Sequence, residues 1–160
     1  MNESRAAIVK LVGVQLALVS AAVHLWWGVP RLLVYLPIAS FADPQPYLFV
    51  VSGVAVFLGA ALLALGGPPR ILYALGIVAM LVYAVGYAAW HLAGHGGIVP
   101  GVAGYDHDGH PLGEVVGHLA ADPLALAAMV AELGAIACFA VLVYHETTRR
   151  RTTGASATEP

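Results

Sequence analysis

The chain has 160 residues, of which 60% are hydrophobic and 10% charged, and its mean hydropathy is +0.83. A soluble domain carries about 25% charged residues, so this chain lacks the charge to cover a water-facing surface, and its apolar excess has to face lipid. A formal net charge of −2, with no basic run beyond Arg149, Arg150 and Arg151, offers no footing for nucleic acid, and the single cysteine, Cys138, excludes an intrachain disulfide and any cysteine-based zinc motif.

Crossing the hydrocarbon core takes roughly 20 apolar residues. Four uncharged or nearly uncharged runs meet that length, and they predict helices near 6–28, 46–66, 71–94 and 122–145. The N-terminus imitates a signal peptide, with "MNESRAAIVK" as a charged head and "LVSAA" as a cleavage-like site. The apolar run continues through "VHLWWGVPRLLVYL", which favours an uncleaved anchor. Residues 31–42 are apolar but too short to cross, and Arg31, Pro37 and Asp43 mark them as an interfacial or re-entrant segment. "GGPPR" at 66–70 is a tight turn, because proline cannot continue a helix and glycine ends one. "DP" at 122–123 is a helix start, with Asp122 as cap and Pro123 in the first position.

The expected fold is therefore all-α: a four-helix transmembrane bundle with a long His-rich extracytoplasmic loop, about 95–121, between helices 3 and 4. Arg5, Lys10, Arg70 and the three terminal arginines all fall on one side of such a bundle, and Arg31 is the only basic residue on the other. The positive-inside rule then places both termini in the cytoplasm of a multi-pass protein of the plasma membrane. Residues 1–146 form one domain, and the small, polar segment 147–160 is expected to be a disordered tail. Gly53, Gly59, Gly76 and Gly86 lie on several helix faces and leave room for a homo-oligomer or a larger membrane complex.

Six of the seven histidines fall on the outer side under this topology. His24 ends span one, His91 and His95 end span three, and His107, His110 and His118 lie in the outer loop. His91 and His95 share a helix face, as do Glu114 and His118, being four apart. "DHDGH" at 106–110 adds carboxylates and imidazoles. This donor set suits zinc, with copper, nickel and iron as alternatives. The candidate metal ligands are His24, His91, His95 and His118, supported by Glu114, His107 and His110. Neither HExxH nor a cysteine pattern is present, and histidines with Trp26 and Trp27 also suit an interfacial belt that binds nothing.

Glu132 lies about 15 Å into span four at 1.5 Å per residue, close to the bilayer midplane. A carboxyl group there is costly and normally faces the bundle interior with a partner. Tyr83 is at similar depth, Ser20 and Gln15 bracket it, and Tyr83, Tyr87, His91 and His95 form a stripe at four-residue spacing. A polar seam from Glu132 outward through Tyr83 and Tyr87 to His91 would serve an accessory subunit of a redox or proton-coupled complex. A haem held by two facing histidines such as His24 and His91 is a further cofactor option. A lone structural hydrogen bond to Glu132 is the simpler alternative, within a structural membrane protein that carries no cofactor.

The order "VHLWWG", "YLFVVSGVAVFLGAALLAL" and "PRILYALGIVAMLVYAVGYAAWHL" resembles, in layout over about residues 10–93, a family of small four-span membrane proteins of salt-loving archaea. A looser likeness, again in layout, is to DoxX-type four-helix redox subunits. Neither resemblance carries an activity or a residue role to this chain.

Overall fold

A computed structural model describes residues 1–38, 43–95, 104 and 110–156, with backbone only for 111 and 150–156. The described residues form five helices and no strand: α1 Glu3–Tyr35, α2 Gln45–Ala64, α3 Pro69–Leu92, α4 Pro111–Ala121 and α5 Pro123–Ser156. Four of them, all but α4, are long and apolar enough to cross a membrane. That is the mark of a polytopic membrane protein.

Local chemistry sets the ends. The Asn2 side chain accepts the Arg5 N–H at 2.9 Å and caps α1. Proline opens α3, α4 and α5 at the first turn, where its missing N–H leaves no helical bond unmade. Asp122 separates α4 from α5 and caps α5, its Oδ1 accepting the N–H groups of Leu124 and Ala125 at 2.9 and 3.1 Å. Helix α2 ends with Gly66 at φ 85° and the Gly67 N–H bonded to the Leu62 carbonyl at 2.8 Å. This left-handed cap turns the chain straight into α3.

Two expectations shift. Helix α1 does not stop near residue 28 but runs through Pro30 to Tyr35, so the start of the expected interfacial segment is helical. Pro30 removes one backbone donor. Arg31 donates to the nearby Trp27 carbonyl at 3.0 Å, its guanidinium lying 3.6 Å from the Trp27 ring centre. Residues 39–42 of that segment lie outside the described residues. At the other end, α5 stays helical beyond Glu146, where composition alone ends the domain.

Helix α1 packs along both α2 and α5, and α3 packs along α5, while α2 and α3 meet only lightly. Small residues bring these backbones together. A Cβ on Gly13 would sit 2.8 Å from Cys138 Cβ, and one on Gly53 would sit 2.8 Å from Leu25 Cγ. Close approach of this kind holds helices together in lipid, where dispersion replaces the hydrophobic effect. Gly76 is likewise spent inside the bundle against Phe139, whereas Gly59 and Gly86 meet nothing within 4 Å.

The core comprises Ala17, Tyr73, Met80, Tyr83, Ala135, Phe139 and Leu142. Tyr73 stacks on Phe139 with ring centres 5.7 Å apart. The His145 ring bonds the Met1 carbonyl at 3.0 Å, so the start of α1 and the distal part of α5 share one end of the bundle. The opposite end gathers histidine side chains.

Candidate metal centre

Three histidines converge at that end. His91, His95 and His118 each offer a ring nitrogen, and these three atoms lie within 4.8 Å of one another. Their ring centres form a near-equilateral triangle with sides of 4.8, 4.8 and 4.9 Å. All three side chains are half-buried.

Each position has a local cause. His91 sits on the last turn of α3, and its Nδ1–H donates to the Tyr87 carbonyl at 2.8 Å. A carbonyl only accepts, so this bond fixes the tautomer and leaves the lone pair on Nε2. His95 follows the helix end. The His95 N–H bonds the Trp90 carbonyl at 2.9 Å, the Gly94 N–H bonds the His91 carbonyl at 3.2 Å, and Gly94 has φ 66°. That pair of bonds is a Schellman cap. His95 itself has φ 56°, the one non-glycine residue with positive φ among the described residues. The cap folds the chain back and carries the His95 ring to His91. His118 comes from α4, which packs on α3 and α5 across the mouth of the bundle. Its Nε2 lies 3.9 Å from Glu114 Oε2, one turn earlier on the same helix.

The triangle rims a cavity of about 310 Å³. Trp27, Phe49, Tyr87, Trp90 and Met129 help line its walls, and His24, Tyr83 and Glu132 line it too. Among the described residues, Glu132 and Ser20 are the buried polar ones, at 2% and 0% exposure. The Ser20 hydroxyl donates to Glu132 Oε1 at 2.9 Å. The His24 Nδ1–H donates to the Ser20 carbonyl at 2.9 Å, and His24 Nε2 faces Glu132 Oε1 across 3.9 Å. The His24 ring stacks on Tyr83, with centres 3.8 Å apart and planes 11° from parallel, and Phe49 meets its edge at 4.5 Å.

Measured against the sequence-based candidates, the triad is the part that assembles. His24 lines the same cavity but belongs to the Glu132 pair and not to the triad, its ring held among Glu132, Tyr83 and Phe49. Glu114 stands beside His118. His110 is exposed ahead of α4 and lies outside the cluster. His107 falls outside the described residues.

The polar seam is also rearranged. Ser20, not Tyr83, bonds Glu132, and the Tyr83 hydroxyl donates instead to Ser52 Oγ on α2 at 2.7 Å. Ser52 in turn donates to the Leu48 carbonyl. Gln15 is exposed, five residues and so about 500° around the helix from Ser20, and takes no part. Tyr87 packs on His91 with ring centres 4.1 Å apart, so the stripe is continuous at its outer end only. Ser52 and Phe49 carry no signal in the sequence, since neither is unusual in an apolar span. Compared with known protein families, curated proteins and solved structures, the chain matches none.

Proposed function

We propose that this polytopic membrane protein binds a divalent transition-metal ion at the mouth of its helix bundle, through His91, His95 and His118. The single observation that carries this reading is the convergence of three imidazoles within 4.8 Å. Ligand nitrogens around a tetrahedral ion at 2.0–2.1 Å are about 3.3–3.4 Å apart, so modest side-chain rotation closes the triangle on an ion. Imidazole donors select zinc or copper over the hard cations, which prefer oxygen. The carbonyl of Tyr87 orients His91, and Glu114 beside His118 is placed to orient the second ring, as outer partners do at metal centres. Three protein ligands leave a fourth position, which the cavity supplies with room for water or a small ligand.

The distribution of basic residues supports an orientation with both termini in the cytoplasm and the triad facing outward. Elemental analysis of purified protein tests the reading. One equivalent of metal per chain is expected at the triad, and it should be lost in the His91→Ala/His118→Ala variant. Wild type and variant with equal metal content would refute it.

A further inference from the structure

Beneath the triad, His24 and Glu132 present an electrostatic mismatch. The Ser20 carbonyl takes the His24 Nδ1–H, so His24 Nε2 is a lone-pair atom. Glu132 Oε1, which it faces at 3.9 Å, is an acceptor already drawing the Ser20 hydroxyl hydrogen. Two electron-rich atoms thus face each other in the lining of the cavity, an arrangement that a positive centre between them would satisfy. A shared proton would draw the pair to about 2.7–3.0 Å. The observed gap is wider. Two ligands on one ion at about 2.0–2.1 Å stand roughly 3.3 Å apart at a tetrahedral angle and about 4 Å apart when opposed. The 3.9 Å separation falls inside that range.

We infer that His24 and Glu132 form a second, inner metal position in the same cavity, below the triad. Both residues line the cavity that the triad rims, so an ion at the mouth shares one cavity with them. The two imidazoles, His24 and His91, are prepared in the same way. Each gives its Nδ1–H to the carbonyl four residues back and so keeps Nε2 for a ligand role. A carboxylate and an imidazole again favour a borderline transition ion such as zinc, with water completing its coordination. Ser20 acts as a positioning residue, holding the carboxylate with its hydroxyl and the imidazole with its carbonyl. The choice of cation rests on the metal-binding reading above, while the inner position uses none of the triad's residues.

The test is a titration of the full-length chain in detergent micelles with Co²⁺, whose visible d–d absorption reports each ligand set, together with a zinc count by elemental analysis. Wild type should take up two equivalents. Glu132→Gln and His24→Asn should each hold one, with the lost step weakened at least tenfold. His91→Ala/His118→Ala should also hold one, with the band of the inner position. Ser20→Ala keeps both ligands and should retain two equivalents, the inner one bound several-fold more weakly. Circular dichroism and gel filtration identify any variant that fails to fold, and His24→Asn with Ser20→Ala carries the test if Glu132→Gln does. Saturation of wild type at one equivalent that His24→Asn and Glu132→Gln leave intact would overturn the inner position, and a bridging proton alone would give that result. A triad variant that keeps every equivalent would overturn the outer site and leave the inner one standing.

Discussion

His95 ties the proposed metal site to a local backbone cost. Its φ of 56° puts a Cβ where L-residues are disfavoured, by about 1–2 kcal/mol. Glycine occupies such positions without strain, and Gly96 and Gly97 follow immediately in the sequence. The proposed metal site gives a reason for an imidazole to be held there. His95→Gly is expected to abolish metal uptake at the triad while raising the apoprotein's thermal midpoint, by up to about 1 kcal/mol in stability. His95→Ala should lose the metal with no such gain. Thermal unfolding of the metal-free proteins in micelles separates the two. If both substitutions lowered stability equally, the turn would not be strained.

The helices were legible because each boundary carries a chemical signal. Gly66 and Pro123 mark ends through the backbone and Asp122 through its side chain, and these hold in the structure, while α3 starts at Pro69, two residues before the expected 71. The end of α1 was not legible, since Pro30 reads as a stop although the helix continues past it. The pairing of His91 with His95 followed from spacing, but the arrival of His118 did not, because it depends on how α4 packs against α3 and α5. Ser20, Gln15 and Tyr83 were all legible at the depth of Glu132, but not that Ser20 is the one that bonds it. Depth along a helix can be counted from sequence, whereas rotation about its axis depends on which neighbour comes closest. Glycine decides that here. Gly13→Val is expected to force α1 from α5 and cost about 1–3 kcal/mol, since its Cβ would stand 2.8 Å from Cys138 Cβ. Gly59→Ala, with nothing within 4 Å, should be neutral or slightly stabilising. Unfolding both variants in mixed micelles would show the contrast, and equal effects would contradict the packing.

Across the whole bundle, order and chemistry divide between the two ends. One half holds the core cluster of Tyr73, Met80, Phe139 and Leu142, and His145 bonds Met1 at its end. The other opens into the histidine-lined cavity. A membrane-impermeant histidine reagent applied to right-side-out vesicles is expected to modify His91 or His118 and to spare His145, with added zinc protecting the first two. Modification of His145 alone would invert the proposed orientation.

The break at Asp122 has a mechanical consequence. It makes α4 a separate short lever, capped off from the long α5, and this lever carries one of the three ligands while α3 and its cap carry the other two. An ion held by all three would act as a cross-link between the lever and the bundle, a staple in a chain whose single cysteine cannot form one internally. Binding of that kind stabilises the docked state by RT ln(1 + [L]/Kd), about 2.7 kcal/mol at a hundredfold excess over Kd. Amide hydrogens of residues 112–121 should accordingly exchange more slowly by up to about a hundredfold when zinc is added. Those in the middle of α2, which contributes no ligand, should not change.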